Sequence, residues 1–216
     1  MTPLVLKLGG SLAESQRLRA ALHLVARARR PVVVVPGGGI FADAVRASQA
    51  ALGFDDGTAH AMALLAMHQM ATAMTAIEPR LVAAETLAGI ERAWRRRRVP
   101  VWLPSRLCKT DRRIPRDWSI TSDGLAARLA ERLGHVELAL LKSCPVKRAA
   151  SARTLAREGI VDPVFPVIVA RAGLSWCVLG AGDETRLAGV LDVASARPAV
   201  RSTAAKLRAT AVARAI

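Results

Sequence analysis

Tyrosine is absent from this 216-residue chain, and aromatic residues make up only 3% of it. Proteins that read single strands or RNA loops stack bases on aromatic faces, so that platform is missing. Cysteine is equally sparse. Cys108, Cys144 and Cys177 are odd in number, far apart and without a C-x-x-C pair. A disulfide framework and a structural zinc site are both disfavoured, and a reducing cytoplasm fits best. The longest apolar runs, such as 32–35 and 136–141, fall far short of the roughly 20 residues a membrane helix requires. The first residues lack the charged start, apolar core and cleavage site of a signal peptide and read directly as a strand.

Negative charge is also scarce. Seventeen acidic residues face 32 basic ones, a net charge of +15, and only Lys7, Lys109, Lys142, Lys147 and Lys206 among the basic residues are lysine. Four arginines stand together at 95–98. Arg197, Arg201, Lys206, Arg208 and Arg214 lie in a tail with no acidic residue after Asp192. Without aromatic partners these runs read as solvated charge and as attraction for phosphorylated metabolites, which disfavours a nucleic-acid partner.

Short β-rich runs alternate with helical periodicity. Residues 4–8 read as a strand. Leu18, Ala21, Leu22 and Val25 set one apolar face of a helix over 12–29, and 32–35 is a β-branched run of the kind found in a central parallel strand. Helices are expected at 41–52, 58–76, 86–94, 122–133, 151–157 and 184–191. Strands are expected near Leu81 and at 99–103, 136–141, 167–169 and 176–179. Thr121, Ser122 and Asp123 are all good N-cap residues for the helix they open. This alternation predicts an α/β fold, a three-layer αβα sandwich around a mainly parallel sheet.

Two glycine turns carry the chemistry. Lys7-Leu8-Gly9-Gly10-Ser11 closes the first strand, and Pro36-Gly37-Gly38-Gly39 closes the second. Glycines let backbone N–H groups approach an anion closely, and a following helix N-terminus adds partial positive charge. Lys7 adds a full one. Neither turn fits the nucleotide-binding patterns G-x-x-x-x-G-K-[ST] or G-x-G-x-x-G. Ligands of open parallel sheets sit beyond the carboxyl ends of the strands, so both turns should face one crevice.

With Trp118-Ser-Ile-Thr121-Ser122-Asp123-Gly as a third block, these motifs resemble the amino-acid kinase superfamily over about 4–142. Phe41-Ala-Asp43-Ala-Val-Arg46 and the Ala59-His60-Ala-Met62 to Met67-His-Gln-Met70 helix are similar to its small methanofuran-pathway group, the [5-(aminomethyl)furan-3-yl]methyl phosphate kinases. The resemblance implies transfer of the ATP γ-phosphoryl group, with Mg²⁺, to a small phosphorylated acceptor. It implies that Lys7 neutralises the transferring group and that Gly9, Gly10, Ser11, Gly37, Gly38 and Gly39 hold phosphate oxygens. Asp123 orients lysines and stands near the Mg²⁺ that arrives as Mg-ATP, while the chain itself supplies no metal site. Lys142 is the candidate second lysine, its alternative a strand-end surface lysine. Asp43, Arg46, Thr121 and Ser122 are candidate acceptor contacts.

The superfamily's G-T-G-G-M-like loop and its nearby lysine have no counterpart here, and only the short segment Val161-Asp162-Pro163-Val164-Phe165-Pro166 resembles part of its longer nucleotide half. We therefore expect an acceptor half over about 1–142, a shortened C-terminal nucleotide lobe over about 143–192 and a basic tail over 193–216. A non-catalytic binding or assembly protein on the same fold is the alternative. The resemblance also implies a homo-oligomer. His60, His68 and the methionines at 62, 67, 70 and 74 read as a packed helix surface and a candidate subunit contact.

Overall fold

A computed structural model describes residues 1–14 and 16–193. The expected basic tail therefore lies outside the described residues, apart from Val193. Six parallel strands form one sheet: β1 (Leu4–Leu8), β2 (Val32–Pro36), β3 (Leu81–Ala84), β4 (Val99–Trp102), β5 (Glu137–Leu141) and β6 (Trp176–Leu179), in the order β3-β4-β2-β1-β5-β6. Every residue of β1 and β2 is buried, as two-sided coverage demands, which is why neither strand alternates apolar with polar residues.

The helices are α1 (Arg17–Ala26), α2 (Gly39–Leu52), α3 (Asp56–Ile77), α4 (Leu87–Arg95), α5 (Ser105–Thr110), α6 (Ser122–Leu133), α7 (Ala152–Arg157), α8 (Phe165–Arg171) and α9 (Glu184–Val190). Leu4, Leu6 and Leu8 of β1 pack with α1, α9 and the second half of α3 on one side of the sheet. Val5 faces the other side, among residues of α4, α6, α7 and α8. The expected three layers are present. Lys7 follows Val5 at the two-residue period of a strand and so points to the α6 side.

Strand order places β2 on one flank of β1 and β5 on the other, paired from Leu4↔Glu137 to Leu8↔Leu141. Successive strands run outward one way from β1 to β2, and the chain later returns to add β5 and β6 on the opposite flank. The carboxyl ends of β1 and β5 thus form a topological switch point, the crevice where open α/β sheets bind ligands.

Three expectations change. Residues 167–169 are the middle of α8, not a strand. Pro166 occupies the first helical turn and the Asp162 carboxylate accepts the Phe165 N–H at 2.9 Å, so start signals outweigh a β-branched run of three. The helix expected over 12–29 is divided into a 3-10 turn at Gly10–Glu14 and α1, with the first glycine turn leading into the former. Met67, Met70 and Met74 are buried in the chain's own core, so they supply no subunit surface. Part of the arginine run is structural too. Arg98 donates to the Pro79, Arg80 and Leu81 carbonyls and fastens the turn between α4 and β4 to the start of β3.

Candidate active site

The two glycine turns touch backbone to backbone. A Cβ on Gly10 would lie 2.1 Å from the Gly39 nitrogen, and one on Gly37 would lie 2.3 Å from the Gly10 nitrogen. Gly39 has φ +53°, which also favours glycine. The turns read from sequence as two phosphate cradles are therefore one interlocked floor. Two of its amides do not meet the expectation of phosphate binding: Gly9 N–H donates to the Leu141 carbonyl at 3.0 Å and Gly37 N–H to the Leu8 carbonyl at 2.8 Å, so the sheet spends both and the candidates are Gly10, Gly38 and Gly39.

On one side of that floor lies a cleft of about 210 Å³. Gly10, Ser11, Gly37, Gly38, Gly39, Asp43, Arg46, Thr121 and Ser122, all named from sequence, line it. So do His60 and Trp118. Arg46 stacks over the Trp118 ring, 4.6 Å from its centroid, and pairs with Asp43 at 2.7 Å. The indole is fixed in turn, its Nε1–H donating to Gln49 Oε1 at 2.7 Å. His60, expected to be helix packing, is a wall of the cleft. Burial lowers its proton affinity against an opposing hydrogen bond to the Asp117 backbone.

The switch point holds the charged centre. Lys7, at the end of β1, and Lys142, just beyond β5, both reach Asp123 in the first turn of α6. Lys7 Nζ lies 2.8 Å from Asp123 Oδ1, and Lys142 Nζ lies 2.7 Å from Oδ2. All three side chains are largely buried, at 6%, 15% and 5% exposure respectively. Burial alone would raise the Asp123 carboxyl, but the Lys7 and Lys142 charges outweigh it and hold the group below its ordinary range. Lys142 is pushed down, chiefly by burial and then by Lys7, with Asp123 opposing. A helix-cap role for Asp123 and a surface role for Lys142 are both replaced by this cluster. Two ammonium groups share one carboxylate, leaving one unit of positive charge beside Gly9, where a Cβ would sit 3.7 Å from Lys7 Nζ. Ser11 Oγ meets Ser143 Oγ at 2.7 Å and ties the first turn to the residue after Lys142.

Sequence reasoning passed over Ser143 and, more consequentially, Asp162. Thr121 does not cap α6 with its own hydroxyl. Asp162, 38 residues beyond Gly124, takes over that work by accepting the Thr121 N–H, the Thr121 hydroxyl and the Gly124 N–H through Oδ2. The sequence offered Asp162 only as part of the 161–166 segment that resembles the nucleotide lobe and as an Asp three residues ahead of Phe165-Pro166, the pattern of a local helix start.

A metal held by this chain beside Asp123 does not fit. Both Asp123 oxygens face ammonium groups, and both Asp162 oxygens face N–H or O–H donors. Among the described residues no three His, Cys, Asp or Glu side chains converge on a common point.

Paired buried lysines on one aspartate beside glycine turns at the switch point of a parallel sheet form an arrangement suited to phosphoryl transfer, which needs alignment and charge neutralisation more than covalent help. The chain belongs to the amino acid kinase family, whose model matches residues 2–145. It is 22% identical over 200 residues to the [5-(aminomethyl)furan-3-yl]methyl phosphate kinase of Methanocaldococcus jannaschii, covering 87% of this chain and 92% of the relative. The uridylate kinase of Archaeoglobus fulgidus superposes with a TM-score of 0.67 at 17% identity, covering 89% and 96% of the two chains. An isopentenyl phosphate kinase superposes with a TM-score of 0.58 at 14% identity, covering 88% and 96%. This protein is accordingly a small-molecule kinase.

Proposed function

We propose that this kinase transfers the γ-phosphoryl group of ATP to a phosphate monoester held in the cleft, and that the preferred acceptor is an aminomethylfuran phosphate. The observation that carries the reading is the Lys7–Asp123–Lys142 cluster beside the interlocked glycine floor. An oxygen of the acceptor phosphate attacks the γ-phosphorus, the bond from γ-phosphorus to the bridging oxygen breaks, and ADP leaves with that electron pair. The product is a diphosphate. An ionised phosphate oxygen needs no general base, which suits a site whose one carboxylate is committed to two lysines.

Lys7 and Lys142 neutralise the oxygens of the group in flight, and the amide of Gly10 orients them. The Gly38 and Gly39 amides and Arg46 hold the acceptor phosphate, and Asp43 accepts its amine. Support for the furan comes from the cleft's mixed lining and from the M. jannaschii relative. Because Asp123 is spoken for, no step is assigned to a metal ligated by this chain.

The test is incubation with ATP, Mg²⁺ and a panel of monoesters including aminomethylfuran phosphate, uridylate and isopentenyl phosphate, with products followed by phosphorus NMR. A new diphosphate from the furan, formed in preference to the others, is expected. No ATP consumption with any monoester would remove the acceptor class, and a preference for uridylate would remove the furan.

A further inference from the structure

Asp162 is 7% exposed, and its four hydrogen-bond partners among the described residues are all N–H or O–H donors. Oδ2 accepts from Thr121 N at 2.8 Å, Thr121 Oγ1 at 2.9 Å and Gly124 N at 2.7 Å, while Oδ1 accepts from Phe165 N at 2.9 Å. Burial and the nearby Asp123 charge push this carboxyl above the ordinary carboxylate range, while the bonds from Gly124 and Thr121 oppose them; four donors and no acceptor around its oxygens favour the ionised form. Its charge is met by the N-terminal dipole of α6. The contact is so close that a Cβ on Gly124 would stand 2.7 Å from Oδ1. Thr121 and Gly124 flank Asp123 on either side in the chain.

We propose that Asp162 is a positioning residue for phosphoryl transfer. It pins the first turn of α6 from both sides of Asp123, so that the Asp123 carboxylate stands between Lys7 and Lys142 instead of fraying outward with the helix end. Through Phe165 the same carboxylate starts α8, and it thereby fastens the C-terminal part of the chain to the charged centre. The inference rests on reading Lys7, Asp123 and Lys142 as the transfer centre, but it concerns what aligns that centre and holds whatever the acceptor.

The two oxygens make the test asymmetric. In Asp162→Asn the amide oxygen, turned to the Oδ2 position, keeps all three bonds to α6, and the NH₂ disturbs only Phe165. In Asp162→Ala every bond is lost. Assayed well below their melting temperatures, Ala should lower kcat by about 100-fold with the acceptor KM nearly unchanged, the cost of a misaligned centre, whereas Asn should recover most of the rate. Gly124→Ala, which leaves every donor in place but drives the carboxylate off, should reproduce the Ala pattern and serves if Asp162→Ala does not fold.

A second readout needs no acceptor. The chain has five lysines, so lysine side-chain nitrogen NMR resolves them individually once Lys→Arg variants assign them. The slowly exchanging ammonium signals of Lys7 and Lys142 should persist in Asp162→Asn and vanish in Asp162→Ala. Unchanged lysine signals in a folded Asp162→Ala protein, or a kcat within about threefold of wild type, would overturn the proposal. Equal losses in Asn and Ala would overturn it as well. A wild-type protein inactive toward every monoester would count against the proposed acceptor instead, and the lysine spectra would still decide this inference.

Discussion

Replacing Lys7 by Met tests the charged centre most directly. Methionine keeps the length of the stem on the α6 side of β1 and removes only the ammonium group that lies 2.8 Å from Asp123. Asp123 keeps Lys142 at 2.7 Å, so the stability loss should stay below the roughly 3–5 kcal/mol of an orphaned buried charge. The rate should suffer far more. Without Lys7 the cluster drops from one net positive charge to none, just where the transferred oxygens gather. At about 4 Å and an effective dielectric constant of about 20, one unit charge contributes about 4 kcal/mol. If that attraction is realised in the transition state, its loss lowers kcat by about a thousandfold. The assay is ADP release at saturating acceptor, accompanied by a thermal melt of each variant. A folded Lys7→Met protein with kcat within tenfold of wild type would refute the electrostatic reasoning and remove Lys7 from the transfer step.

The other predictions address the floor, the cleft and the titration. Gly10→Ala forces a Cβ to 2.1 Å from a backbone nitrogen that has no side chain to swing away; a loss above about 3 kcal/mol and a midpoint lowered by roughly 6–12 °C are expected in a calorimetric melt. Arg46→Ala should raise the acceptor KM by about 10–100-fold, the worth of one charge-assisted hydrogen bond, with little change in the KM for ATP. In a rate–pH profile the acid limb should lie above the ordinary carboxylate range, where Asp162, raised by burial and by Asp123, loses the charge that pins α6 while Asp123, held low, stays ionised. The basic limb should begin below an ordinary lysine, since burial and Lys7 lower Lys142. The stability signs follow: Asp123 contributes stability above the unfolded carboxyl value that is lost as pH falls through its folded one. The cost of charging Lys142 is relieved as pH rises from its lowered value toward 10.5.

Much of this was legible in the sequence because it depended on local pattern. β1, β2 and the turns that follow them are short-range features. Lys7, Gly9 and Gly10 could be read together because they lie within four residues at the end of β1 and just beyond it. Thr121, Ser122 and Asp123 were placed on the right helix end, but the lysine-orienting role of Asp123 came from the family resemblance and not from the local pattern. Whether a carboxylate at a helix start caps its own N–H groups or reaches a lysine on a neighbouring strand depends on which strand lies beside it, and the β1–β5 pairing joins segments more than 130 residues apart. Met67, Met70 and Met74 failed for a related reason. Periodicity finds an apolar face, but only packing decides whether that face meets the chain's own sheet or another subunit. The interlock of Gly10 with Gly39 was equally out of reach, because two glycine turns give no sequence signal of touching. Residues 167–169 show the opposite failure, a β-branched run overruled by the capping carboxylate ahead of it.

The ionisable groups around the first turn of α6 explain why the centre is cationic although it holds as many buried carboxylates as lysines. Asp162 and Asp123 carry one negative charge each, and Lys7 and Lys142 one positive charge each, so a simple count gives zero. The two carboxylates differ in what answers them. The charge of Asp162 is spread over three amides, one hydroxyl and the positive end of α6, and none of it is directed at a lysine. Asp123 has its oxygens occupied by Lys7 and Lys142, and cancels only one of them. What faces the glycine floor is therefore an unanswered ammonium charge. Burial and the Asp123 charge still raise the Asp162 carboxyl, and the amides of the helix it caps offset part of that cost. If Asp162 instead faced the lysines, the same four residues would make a neutral site with little hold on a phosphoryl group. On the proposed reading, the arrangement of the carboxylates, more than their number, is what suits this centre to a phosphoryl group.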